Sequence, residues 1–252
     1  MPDTKIGVTL YTLRDSVRTP SDIAHTLKRV KSMGYDNIQL SALGPVDPKE
    51  LADMIHSEGL YVCATHVAYD RLESDLDALL EEHRLWNCKN IAIGGMPDPY
   101  RSEGNYSGFA KDVSTIADRI KEAGFTFSYH NHSWELERYN GKQILAILID
   151  ETTEAVNFEI DTYWIQHGGG DPAEWIRKVS GRAPVIHYKD LAIVAREQVM
   201  AEVGEGNMNW NAIAEACKAA GSEWYVVEQD TCAGDPFVSI EISLKNMRAM
   251  DL

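Results

Sequence analysis

The chain of 252 residues predicts an α/β fold, a single (β/α)8 barrel. Two observations lead there. Eight strand-like runs alternate with amphipathic segments along the sequence, and one such barrel routinely has this length. The composition agrees: 44% hydrophobic and 9% aromatic residues can fill a large core. No low-complexity or Pro/Ser-rich linker divides the sequence, so residues 1–252 read as one domain.

The strand-like runs lie near Ile6 to Leu10, Ile38 to Leu40, Tyr61 to Thr65 and Ile91 to Gly94, then Phe125 to His130, Phe158 to Asp161, Val185 to Lys189 and Tyr225 to Glu228. The segments between them carry start and stop signals. Asp47-Pro48, Asp171-Pro172 and Asp235-Pro236 each place an N-cap acceptor before a proline at the first helical position. Gly34, Gly59, Gly124 and Gly221 stand where helices should end. Strands alternating with helices imply parallel pairing through right-handed crossovers, and eight units can close into a barrel. A doubly wound open sheet is the alternative. Its dinucleotide-binding versions are excluded because no Gly-x-Gly-x-x-Gly turn follows the first strand, and Gly168-Gly169-Gly170 reads as a flexible loop after the sixth.

A net charge of −15 repels phosphate backbones, so no nucleic-acid partner is expected. No apolar run approaches the roughly 20 residues of a membrane helix, and the opening Met-Pro-Asp-Thr-Lys lacks the apolar core of a signal peptide. A cytoplasmic location is the resulting expectation. Cys63, Cys88, Cys217 and Cys232 form no Cys-x-x-Cys pair, which points to reduced thiols in packing roles.

Ligand-type side chains gather at the ends of four consecutive strand-like runs. Tyr129-His130-Asn131-His132-Ser133-Trp134-Glu135 ends the fifth, and Asp161, His187 and Glu228 end the next three. In the fifth run Phe125, Phe127 and Tyr129 share the face suited to the helix layer, while Thr126, Ser128, His130 and His132 share the barrel face. By the same alternation His187 and Lys189 share a face, as do Trp224, Val226, Glu228 and Asp230. A lone strand-end His or Asp is more often a hydrogen-bonded structural residue than a ligand. Four donors at corresponding ends favour one metal site in the barrel mouth.

At these residues the chain resembles the sugar phosphate isomerase/epimerase family of xylose-isomerase-like TIM barrels. The resemblance rests on Tyr11-Thr12-Leu13-Arg14, Tyr129-His130-Asn131-His132, Asp161-Thr162-Tyr163-Trp164, His187-Tyr188-Lys189-Asp190, Val203-Gly204-Glu205-Gly206 and Glu228-Gln229-Asp230, a set spanning nearly the whole chain. It implies a divalent ion, commonly Mn2+ with Mg2+, Co2+ or Zn2+ as alternatives, held by His130, Asp161, His187 and Glu228. The family's epimerases commonly place Glu where this sequence has His130. That exchange removes one negative charge and one proton carrier from the site.

The resemblance therefore implies an isomerase or epimerase acting on a keto-sugar through an enediolate. Glu228 or Glu135 would exchange the proton, with His132 and Lys189 in support. Trp164 and Trp134 are candidate apolar walls for a sugar ring, and His66 a candidate substrate contact; core packing is the competing role for Trp164 and His66. Glu135 could instead cap the following helix, and Lys189 could pair with Asp190 or Asp230. The Val203-Gly204-Glu205-Gly206-Asn207 loop could cradle a phosphate on its backbone N–H groups, with Arg196 as its cation, but Glu202 and Glu205 favour an unphosphorylated sugar. A lyase or dehydratase acting on a keto-glycoside or inosose shares the enolate and is the first alternative. An apurinic-site endonuclease would want a basic groove, and a non-catalytic sugar-binding protein would need no metal. A homo-oligomer is the expected assembly.

Overall fold

The structure, a computed structural model, describes residues 4–102 and 104–250; Met1-Pro2-Asp3, read above for a leader, lie outside them. All eight expected strands form, with ends moved by one or two residues. They are β1 (Ile6–Thr9), β2 (Asn37–Leu40), β3 (Tyr61–Val67), β4 (Asn90–Ile93), β5 (Thr126–His130), β6 (Val156–Asp161), β7 (Val185–Tyr188) and β8 (Trp224–Val227). Each pairs in parallel with its sequence neighbours, and β1 closes onto β8. A closed barrel rules out the open-sheet alternative.

The helix signals act as expected. The Asp47 side chain accepts from the N–H groups of Lys49 and Glu50, and Asp171 and Asp235 cap their proline-started helices in the same way. Gly221 ends the helix Trp210–Ala220 at φ 77°, a left-handed conformation that a side chain would strain. On β5, Phe127 and Tyr129 are buried in the outer layer, where Tyr129 meets Phe109 of the helix Tyr106–Glu122 edge-on at 5.7 Å. Among the described residues no helix is long and apolar enough to cross a membrane. Three cysteines are buried free thiols, and Cys232 is half-buried.

Three features differ from the sequence reading. After β7 the chain forms an antiparallel ribbon of Asp190–Val194 with Glu197–Ala201, turning at Ala195 and Arg196, both at positive φ. The three glycines from Gly168 do not follow β6 directly. A short helix, Thr162–His167, intervenes because Asp161 caps it, accepting from the Trp164 N–H at 2.9 Å. Third, β3 carries a bulge: Ile38 pairs with Val62 but Gln39 pairs with Ala64, leaving Cys63 as the extra residue.

The bulge reverses the alternation of β3 halfway along. Tyr61 stacks on Trp224 at 5.4 Å within the apolar cluster of Cys63, Ala64, Val185 and Val226. Strict alternation from Tyr61 would turn Thr65 inward and His66 outward. Instead Thr65 Oγ1 lies 2.7 Å from Nε2 of His83, on the outer helix Leu76–Leu85, and His66 points into the barrel. Gly7 leaves room for the bulge, since a Cβ there would come within 3.1 Å of Cys63 Sγ.

Candidate metal centre

Period-two alternation delivers the four expected ligands to one point at the carboxyl-terminal end of the barrel. His130 ends β5, Asp161 ends β6, His187 lies on β7, and Glu228 follows β8 directly. All four are buried. One donor atom from each residue lies within 4.8 Å of the others. Four of the separations are short: His130 Nε2 to Asp161 Oδ2 3.3 Å and to Glu228 Oε2 3.9 Å, His187 Nδ1 to Glu228 Oε2 3.0 Å and to Asp161 Oδ2 3.8 Å. A tetrahedral ion with bonds of about 2.1 Å requires edges of about 3.4 Å, so the spacing fits a small dication. Two imidazoles with two carboxylates are a donor set for a divalent ion of intermediate softness.

The charges fit as well. Lys189, fully buried, places Nζ 2.7 Å from Asp230 Oδ1, 3.1 Å from Glu228 Oε2 and 3.5 Å from Asp161 Oδ2. Burial opposes its charge, but these three carboxylates hold its pKa above the ordinary lysine value. Burial likewise opposes ionisation of Asp161, yet Lys189 and His130 bring its pKa down to about 2. One ammonium does not balance the carboxylates gathered here, and a dication restores most of the deficit.

Beneath the ligands lies a support that the sequence reading missed. Glu159, two residues before Asp161 on β6, turns its wholly buried carboxylate to the barrel axis. Its Oε1 accepts from Gln39 Nε2 at 2.8 Å and its Oε2 contacts His66 Nε2. His187 Nε2 lies 2.8 Å from Gln39 Oε1 and 3.3 Å from Glu159 Oε1, so the ring meets Gln39 and Glu159 with one nitrogen and the ligand cluster with the other. Burial would raise the Glu159 pKa, but His187 and His66 hold it well below the carboxylate range. Applying to β6 the alternation used for β5 would have found Glu159.

A cavity of about 330 Å3 opens above the ligands. His66, His130, His132, Trp164, Lys189 and Glu228 line it, joined by Tyr11, Ser41, Gly94 and Asp230. His132 and Trp164 stand against each other at 5.5 Å, and Lys189 Nζ lies 4.9 Å from the Trp164 ring. Burial, and then the neighbouring His130, lower the His132 pKa to about 3, so its ring is neutral at neutral pH instead of titrating there. A larger cavity of about 820 Å3 at the opposite end, around Tyr61 and Trp224, contains none of these ligands.

Two expected site residues are turned away from this cavity. Glu135 sits in the turn Trp134–Leu136 with no exposure, its Oε1 accepting from the Tyr129 hydroxyl at 2.7 Å and its Oε2 from the His132 N–H at 2.8 Å. It braces the His132 backbone from behind. The same turn sends Trp134 the other way, where the Arg101 guanidinium covers its ring at 4.5 Å. The candidate phosphate loop is also committed. Asp190 Oδ2 accepts from Gly204 N–H at 2.8 Å, Gly206 N–H at 3.1 Å and the Trp210 indole at 2.8 Å, while Oδ1 accepts from Leu191 at 2.7 Å.

Comparison with known proteins agrees with this architecture. Residues 27–249 match the family model of the xylose isomerase-like TIM barrel. A sugar phosphate isomerase/epimerase from Parabacteroides distasonis ATCC 8503 superposes with a TM-score of 0.79 at 24% identity, covering 97% of this chain and 98% of that one. An L-ribulose 3-epimerase gives 0.70 at 17% identity, with 97% and 93% covered. A probable 3-DHS dehydratase from Bacillus anthracis gives 0.68 at 10% identity, with 96% and 99% covered. No curated protein matches the sequence significantly. The family match over most of the chain, the closed barrel and these solved neighbours together place the chain in the xylose isomerase-like TIM barrel family.

Proposed function

We propose that the chain is a divalent-metal-dependent isomerase or epimerase acting on a keto-sugar through an enediolate. The observation that carries the reading is the convergence of His130, Asp161, His187 and Glu228 beneath a cavity large enough for a monosaccharide, with the Lys189 ammonium beside them. A divalent ion held by those four residues, Mn2+ in our reading, supplies Lewis-acid polarisation of a carbonyl and stabilises the charge left after proton removal.

The remaining roles belong to the chain itself. Glu228 Oε2 is engaged by His187 and Lys189, whereas Oε1 accepts no hydrogen bond among the described residues; that oxygen is the base for the proton α to the carbonyl. Lys189 stabilises the developing negative charge. His132, neutral, offers a hydrogen bond to substrate, and Glu135 fixes its backbone. Trp164 forms the apolar wall. The substrate is unphosphorylated in this reading, because Asp190 already occupies the glycine N–H groups of the loop and three carboxylates engage Lys189.

β-Elimination on a keto-glycoside or inosose is the second reading. The distribution of donors favours it: among the described residues, carboxylates line the cavity at Glu228 and Asp230, and the facing wall presents imidazoles. One experiment covers both. Metal-loaded protein is incubated in deuterated water with ketoses, keto-glycosides and inososes, and NMR follows exchange and products. Exchange α to the carbonyl is expected with at least one keto-sugar and should vanish in Glu228→Gln. Isomerisation or epimerisation yields a deuterated rearranged sugar, elimination a dehydrated one. Wild-type exchange in Glu228→Gln removes the base assignment, and no exchange across the panel favours a binding protein.

A further inference from the structure

His66 stands on the cavity wall but outside the ligand set, and its two nitrogens face different surroundings. Nε2 contacts Glu159 Oε2. The other oxygen of that carboxylate accepts from Gln39, and a carboxylate accepts but does not donate, so Nε2 carries the hydrogen of the contact. Nδ1 has no hydrogen-bond partner among the described residues. It turns toward the cavity beside Gly94, where a Cβ would lie 3.6 Å from it. In a neutral imidazole with hydrogen on Nε2, Nδ1 is a bare acceptor.

The surroundings fix that arrangement. Gln39 donates to Glu159 from one side and His187 approaches from another, so the carboxylate cannot swing away from His66. The His66 ring stacks on His187 at 5.3 Å and an interplanar angle of 23°, which fixes its plane. The bulge at Cys63 aims the whole side chain inward. A strand distortion, a buried carboxylate and a stacked ring thus converge to present one lone pair to the cavity.

We infer that His66 recognises a free hydroxyl of the substrate, acting as a hydrogen-bond acceptor that Glu159 holds in a single tautomer. His66 touches substrate, and Glu159 is the positioning residue. The inference rests on the keto-sugar reading and narrows it: the substrate carries an unsubstituted hydroxyl on the side facing β3, and an analogue lacking it leaves Nδ1 unpaired and is rejected.

Two measurements test this. In histidine-15N-labelled, Zn2+-loaded protein without sugar, NMR should find His66 protonated at Nε2 and bare at Nδ1. Glu159→Gln, whose amide can also donate, should populate both tautomers. A proton on Nδ1 in the wild type overturns the inference. The second measurement uses whichever keto-sugar exchanges in deuterated water. His66→Asn keeps an acceptor near the Nδ1 position and should hold KM within a few-fold, whereas His66→Gln loses it and should raise KM about tenfold to a hundredfold with kcat little changed. If both variants lose kcat equally, His66 carries a proton and the acceptor role falls; if neither changes KM, His66 does not touch substrate. Absence of exchange on any keto-sugar defeats the functional reading, and the tautomer in sugar-free protein separates that failure from this one.

Discussion

Replacing Glu135 with Gln should change how the stability of the protein depends on pH. Burial raises the Glu135 carboxyl from its ordinary value of 4.5 to about 7, against the opposing hydrogen bonds from Tyr129 and the His132 backbone. The folded state therefore holds this proton more tightly than the unfolded state does. Stability from this group is complete below pH 4.5 and is lost as pH rises to about 7, beyond which it stays flat. A displacement of that size corresponds to about 3 kcal/mol, taken as an order of magnitude. Gln removes the titration but can accept only one of the two hydrogen bonds, a pH-independent cost of about 1–3 kcal/mol. The variant should be the less stable protein at pH 5 and should gain about 3 kcal/mol on the wild type by pH 8. Urea denaturation of both proteins at the two pH values, in EDTA to exclude metal binding, measures the difference. Parallel pH profiles would refute the assignment of Glu135 as a buried, proton-holding brace.

Asp161→Asn and His187→Ala should each lose most of about one bound divalent ion per chain, read by metal analysis of the folded variants; full occupancy in both removes the site. His130→Ala should lower metal content while His132→Ala mainly lowers turnover, and metal loss confined to the His132 variant would exchange their roles. Asp190→Ala should release the loop around Gly204 and Gly206, read as faster amide hydrogen exchange there, and lower stability by about 3 kcal/mol or more through the buried donors left unpaired. Unchanged exchange would mean that the loop holds itself.

The barrel and the convergence of His130, Asp161, His187 and Glu228 were legible because each donor lies within a residue of its strand's carboxyl-terminal end and period-two alternation carries direction. Glu159 obeyed the same alternation and needed only its application to β6. Other features depend on contacts that local pattern does not encode. Glu135 and Trp134 part company within one tight turn, and their destinations, Tyr129 and Arg101, lie on different elements. Asp190 finds its partners 14 to 20 residues downstream. The ribbon after β7 turns at Ala195 and Arg196 without the Asn or Gly that marks such turns in a sequence. The bulge leaves no trace in Tyr61-Val-Cys-Ala-Thr-His-Val, which reads the same with or without it.

That bulge changes what counts as a small step in the history or redesign of this site. Substitutions on β3 alter one side chain at a time, whereas loss of the single residue Cys63 would remove the bulge and leave Ala64 onward in its present register with β2. Thr65 would keep its place against His83, and His66 its inward aim onto Glu159. A one-codon deletion, which also relieves Gly7 of Cys63 Sγ, thus leaves the chemistry of this wall in place, whereas a β3 that kept all seven residues and paired without the bulge would turn Thr65 to the cavity and His66 outward.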